Sequence, residues 1–273
     1  MGVLGLVHSA YRAIGILDSG VGGLTVFQEL TRQLPHEQIV YFGDTARMPY
    51  GPRPDEEVRR FALQIIDFLQ NQEIKLVVVA CNTATAAGLS SYREQSALPV
   101  LGVIEPGVRA ALAQTGNGRV GIIGTAGTVR SSAYEKALQG ARPGLHVIAR
   151  PCPLFVLLVE NDLVDTPEAE KVAVEYLAPF NRASIDTLIL GCTHYPLMAG
   201  LIQKTVGPGV KLINSAREIA GEVKEILTEQ QLHHPLRLAE PGYRFFVSGN
   251  PGSFEEIASK MLHRRIKAYQ VTL

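Results

Sequence analysis

Short runs of β-branched and apolar residues alternate along the chain with longer stretches in which apolar positions recur every three or four residues. AIGIL, QIVYF, LVVVA, VLGVI, RVGIIG, HVIA, TLILG, KLIN and YRFFV are the strand candidates. Between QIVYF and LVVVA, the segment DEEVRRFALQIIDFLQN puts Val58, Phe61, Ala62, Ile65, Phe68 and Leu69 on one helical face that can cover a sheet. Strands alternating with amphipathic helices predict βα units, whose parallel strands are buried on both faces and so read as continuous apolar runs. Thr166 followed by Pro167 predicts an N-cap with a first-turn proline, and Ser253 with Glu256 three residues on predicts a capping box.

The pattern also repeats. GILDSGVGGLTV from Gly15 aligns with GIIGTAGTVRSS from Gly121: each has a strand, then Ser19 or Thr125 at its end, then glycines opening a helix. An apolar strand ending in a cysteine follows 66 residues after Gly15, at Cys81, and 71 residues after Gly121, at Cys192. The expected fold is α/β, with two similar doubly wound parallel-sheet domains related by pseudo-two-fold duplication and an active site in the cleft between them. Residues 1–103 with 214–273 are expected to form the first domain, and 104–213 the second.

With 273 residues, 46% of them hydrophobic, the chain can bury a sizeable core. Its 26 basic and 26 acidic residues balance, so no global field draws in nucleic acid or an anionic membrane. No apolar run approaches the roughly 18 to 20 residues needed to cross a bilayer. The opening MGVLGLVHSAYRA lacks a basic leading region and runs into the first strand, which is unlike a signal peptide. A cytoplasmic protein is expected, with reduced thiols: three cysteines without a CxxC pair make no disulfide framework.

A lone buried cysteine is usually a small hydrophobe. Cys81 and Cys192, however, occupy matched positions, each followed by hydrogen-bonding residues: Asn82 and Thr83 in one half, Thr193 and His194 in the other. Such a pair could form a disulfide if the sulfurs reach bonding geometry. As a zinc site, two thiols and His194 lack a fourth ligand. Acid and base work on opposite faces of one carbon, as stereochemical inversion requires, is the remaining chemistry. A free thiol with a pKa of about 8.5 is only a few per cent ionised at neutral pH, so each would need help, part of it from helix N-termini at the strand ends. Asp18 in LDSGVGG and His194, two residues from Cys192, are the candidate assistants; their alternatives are a helix cap and a turn histidine. The loop YFGDTARMPYGPRP is a candidate binding wall, with Tyr50 and backbone amides available to a carboxylate. The glycines of DSGVGG could likewise offer N–H groups to an anion. No G-x-G-x-x-G follows the first strand, and no Walker A sequence is present.

Together ILDSGVGGLTV, YFGDTARMPYGPR, VVACNTATA, VGIIGTAGTV and LILGCTHYPL resemble the glutamate racemases of the aspartate/glutamate racemase superfamily, from about Ile14 to about Ala220. The resemblance implies cofactor-independent interconversion of L- and D-glutamate for peptidoglycan, with no cofactor, no metal, no nucleic-acid or membrane partner, and a homodimer. It implies that Cys81 deprotonates D-glutamate and Cys192 L-glutamate, assisted by Asp18 and His194 respectively. Substrate contacts carried over are Asp18, Ser19, Tyr50, Gly51, Asn82, Thr83, Thr193 and His194, with Glu160 and Thr125 in support. Leu157 stands where the family commonly has proline, Asn161–Asp162 replaces Glu–Gly, and Asn214 stands where aspartate is common. Cys152 matches no catalytic motif and reads as structural. The rivals are a racemase of aspartate or a related acid, a binding protein that closes over a carboxylate, and a thiol redox protein.

Overall fold

The computed structural model describes residues 9–273; MGVLGLVH, part of the stretch weighed as a signal peptide, lies outside the described residues. In the first half β1 (Ala13–Asp18), α1 (Leu24–Gln33), β2 (Ile39–Gly43), α2 (Asp55–Gln70), β3 (Ile74–Val79), α3 (Asn82–Gln95) and β4 (Val100–Gly102) follow one another. The chain then crosses to α4 (Ile104–Gln114), β5 (Arg119–Gly124), α5 (Ala126–Arg130), α6 (Ala133–Ala141), β6 (His146–Pro151), α7 (Pro153–Glu160) and α8 (Pro167–Arg182). Next come β7 (Thr187–Gly191), a 3-10 turn at Tyr195–Met198, α9 (Ala199–Val206) and β8 (Lys211–Asn214). It ends with α10 (Ser215–Glu229), β9 (Tyr243–Val247), α11 (Pro251–Leu262) and β10 (Ala268–Gln270).

Six strands form one sheet, in the order β10-β9-β2-β1-β3-β4, and four form the other, in the order β6-β5-β7-β8. Every pairing is parallel. The run β2-β1-β3-β4 has the same neighbour order as β6-β5-β7-β8, so β1 corresponds to β5 and β3 to β7, the structural form of the repeat. Both sheets are covered on both faces. In the first, Ile14, Ile16, Leu76 and Val78 face a core shared with α1, α10 and α11, while Leu17, Val77 and Val79 face α2 and α3. In the second, Leu188 and Leu190 join α7, α8 and α9, while Val120, Ile122 and Ile189 join α4 and α6. This two-sided burial is why the strands read as unbroken apolar runs. Among the described residues no helix is long and apolar enough to cross a membrane.

Local expectations fared unevenly. Thr166 caps α8, accepting the Ala169 N–H at 3.3 Å ahead of Pro167. Ser253 does not cap α11: Asn250 does, accepting the Ser253 N–H at 3.2 Å, because Pro251 starts the helix three residues earlier than the capping-box spacing implies. On α2 the sixth buried position belongs to Ile66, and the half-buried Phe68 instead packs its ring edge-on against Phe42 and Phe246. VLGVI is strand only over Val100–Gly102, since Ile104 already opens α4. Asn214 caps α10 through the Ala216 N–H at 3.0 Å, doing with an amide oxygen what a carboxylate would do. Asp162 takes a left-handed conformation (φ 57°) just past α7, a conformation that glycine adopts freely and Asp tolerates.

Candidate active site

Parallel strands deliver their carboxyl ends to one edge of each sheet, and there β1, β2, β3, β5 and β7 release the residues singled out above, apart from Glu160, which α7 supplies. Ser19, Tyr50, Gly51, Cys81, Asn82, Thr83, Thr125, Glu160, Cys192, Thr193 and His194 line one cavity of about 230 Å³. Asp18 is completely buried behind this lining. All three cysteines are free thiols, and Cys152, fully buried, donates toward the Arg150 carbonyl at 3.7 Å. Among the described residues no group of three or more His, Cys, Asp or Glu is arranged to hold a metal ion.

Cys81 sits two residues beyond β3 as the N-cap of α3, its sulfur accepting the Ala84 N–H at 3.5 Å. Its thiol donates toward Ser19 Oγ at 3.7 Å. Burial pushes the thiol up to about 12, the nearby Asp18 carboxylate pushes the same way, and the Ala84 and Ser19 hydrogen bonds only partly offset them. The helix end therefore does not leave Cys81 a ready thiolate; desolvation and a like charge win. Asp18 is itself raised from the carboxylate range by burial, against the opposing charge of His194 and the N–H groups of Gly23, Gly20 and Ser19. Gly20 N–H donates to Asp18 Oδ2 at 3.0 Å, so the DSGVGG loop wraps its own carboxylate rather than offering this N–H to an external anion.

Cys192 follows β7, and its sulfur lies 3.7 Å from His194 Nδ1. His194 Nε2 lies 3.1 Å from Glu160 Oε1 at the end of α7. Burial opposes charge on the imidazole, but the hydrogen bonds to Cys192 and Glu160 outweigh it and raise His194 to about 10. A Cys–His–Glu chain thus stands on one side of the cavity and a protonated thiol near a buried carboxylate on the other. The glycines make the two sides fit. A Cβ on Gly22 would fall 2.6 Å from His194 Nδ1, and one on Gly23 would fall 2.5 Å from Asp18 Cβ. Their role is close approach rather than an unusual backbone angle.

Two further links tie the halves together: Thr83 and Thr125 hydroxyls meet at 2.7 Å, and Thr25 donates to the Thr193 carbonyl at 3.0 Å. Tyr50 lines the cavity, but its hydroxyl donates to Asp44 and is not free for a substrate carboxylate. The lining also holds Met48, Pro49 and Pro52, from the loop expected to form a binding wall, and Pro153, Val156 and Leu157 of α7, which the sequence did not single out as cavity residues. A signal existed for Leu157: α7 is apolar all round, and Leu157 stays 55% exposed.

The profile of the Asp/Glu/Hydantoin racemase family matches residues 14–223. The chain is 49% identical over 262 residues to the glutamate racemase of Exiguobacterium sibiricum, covering 96% of both chains. It superposes on a glutamate racemase isoform of Bacillus anthracis with a TM-score of 0.93 and 46% identity, over 96% of this chain and 98% of that one. For the Francisella tularensis glutamate racemase in complex with D-glutamate, the TM-score is 0.89 and the identity 37%, over 96% and 98% of the two chains. The chain belongs to the Asp/Glu/Hydantoin racemase family.

Proposed function

We propose that this protein interconverts L- and D-glutamate without a cofactor, using Cys81 and Cys192 as the two proton-transferring groups. The observation that carries the reading is that both thiols line one cavity, each backed by a different proton-handling group. His194, charged below about pH 10, places a positive charge beside Cys192. Cys81, held up at about 12, keeps a proton to give. With L-glutamate bound, the Cys192 thiolate takes the α-proton and the carbanion accepts the Cys81 proton on its other face. That leaves a Cys81 thiolate, a Cys192 thiol and D-glutamate, and the reverse direction runs through the same groups in opposite order.

Among the described residues the lining contains no Lys or Arg. The substrate carboxylates are therefore held by neutral donors: the Asn82 amide, the hydroxyls of Ser19, Thr83 and Thr193, and N–H groups at the start of α3, where the helix dipole favours negative charge. Thr125 supports Thr83, and Asp18 and Glu160 act from behind the thiols. Residues 1–103 with 214–273 are taken as one domain and 104–213 as the other. By family resemblance the product serves peptidoglycan synthesis in the cytoplasm, and the working unit is a homodimer.

The test is incubation of purified, reduced protein with L-glutamate in deuterated water, with a chelator and without pyridoxal phosphate. Optical rotation should vanish as deuterium enters the α-carbon. Full retention of rotation would sink the activity. Racemisation of aspartate in preference to glutamate would move the substrate to the rival acid.

A further inference from the structure

Tyr134 lies in α6 of the second half, outside the cavity lining, and is completely buried. It nevertheless touches the neighbours of both thiols. Its hydroxyl donates to Asn82 Oδ1 at 2.7 Å, next to Cys81. Its ring packs against Gly191, next to Cys192, so closely that a Cβ on Gly191 would fall 3.2 Å from Tyr134 Cε2. Behind it, Ser215 donates to the Leu190 carbonyl at 2.8 Å, tying β7 to the start of α10.

The hydrogen bond has a chemical consequence for Asn82. An amide has an accepting end and a donating end. Burial keeps the Tyr134 phenol protonated, so it acts as a donor and takes up the Oδ1 end. Nδ2 has no hydrogen-bond partner among the described residues, yet Arg47 alone of them holds a fully buried side-chain nitrogen or oxygen without one. Asn82 is 2% exposed and lines the cavity, so Nδ2 reaches the cavity itself.

We propose that Tyr134 is a positioning residue that makes Asn82 a donor toward an anionic substrate and props the strand end carrying Cys192. This rests on the glutamate racemase reading above. Without the phenolic hydroxyl, nothing else among the described side chains holds the amide, and its oxygen can turn into the cavity and repel a carboxylate.

The experiment is a double-mutant cycle in the full chain, with Tyr134→Phe, Asn82→Ala and both together, reading KM, kcat and Tm with L-glutamate and with D-glutamate. Each single variant should raise KM by about tenfold, the loss of one hydrogen bond to a charged group. The double variant should be no worse than Asn82→Ala alone. Asn82→Asp is the second arm: it keeps an acceptor for Tyr134 but presents no donor to the cavity, and it should raise KM more than Asn82→Ala. The proposal is overturned if active Tyr134→Phe protein keeps KM within twofold of the parent. It is also overturned if the two single effects multiply in the double variant, or if Asn82→Asp binds glutamate as well as the parent. Should Tyr134→Phe fail to fold, the Asn82→Asp arm decides. A parent that does not racemise glutamate overturns the activity and this inference together, whereas an active parent with unaffected variants overturns the inference alone.

Discussion

The two thiol sites occupy corresponding places in the repeat but are built differently. Cys81 caps α3, which is kinked at Gly88, and lies near a buried carboxylate, while Cys192 precedes a short 3-10 turn and meets an imidazole. The helix end should favour a thiolate at Cys81, yet burial and Asp18 hold that thiol up at about 12. At Cys192 the balance runs the other way for the partner, because Glu160 and the sulfur keep His194 charged despite its burial. Matched backbone positions therefore do not imply matched electrostatic surroundings. For a two-base racemase the asymmetry is useful: one group rests as an acid while the other has a charged partner to support a base.

The largest expected effect comes from removing either thiol. Cys81→Ala and Cys192→Ala should each lower racemisation by about 10³-fold, the scale of a lost acid or base. Deuterium exchange should survive for L-glutamate in Cys81→Ala and for D-glutamate in Cys192→Ala; the reverse pattern would exchange the two faces. Next in size is Gly22→Ala, whose new methyl would collide with the Thr193 hydroxyl and, at 2.6 Å, with the His194 ring, so that one or both must move. A fall of about 100-fold in kcat with a folded, soluble protein is expected, because misplacement by about 1 Å costs that much.

Glu160→Gln should reduce kcat/KM by about tenfold and move the alkaline limb of the pH profile to lower pH. The sign follows from His194, whose folded value of about 10 lies above its ordinary 6.5. Its contribution to stability is complete below 6.5 and, with the charge of the folded imidazole, is lost as pH rises through about 10. An unmoved limb in the variant would detach Glu160 from His194. The smallest effect belongs to the third thiol: Cys152→Ala should leave activity within twofold and lower stability by about 1 kcal/mol, measured by denaturant unfolding, through loss of buried packing alone. A large loss of activity there would break the distinction between structural and reacting cysteines.

Much of the fold was legible because parallel strands buried on both faces leave an unmistakable apolar run. Three-residue β10 escaped, since AYQ buries only Ala268 and carries no such run. The end of β4 was overdrawn because Val103 and Ile104 continue the apolar run across a boundary set by the start of α4. In the site, cysteines at matched strand ends pointed to their own importance. Glu160 is different: it reaches His194 across 34 residues, and nothing local in CPLFVLLVE marks it, so only family resemblance brought it forward. Tyr134 carried no local mark either, because a tyrosine on a helix face reads as core until the strand ends it touches are known.

By itself the sequence determined the alternation of elements, the duplication, and the placing of a cysteine at the end of one central strand in each half, since all three depend on residue order and periodicity. Only the tertiary structure decided what protonation Cys81 and His194 would favour. Those states depend on desolvation and on charges brought from distant segments, Asp18 to Cys81 and Glu160 to His194, and no spacing along the chain encodes how deeply a group is buried or which charge lies nearest to it.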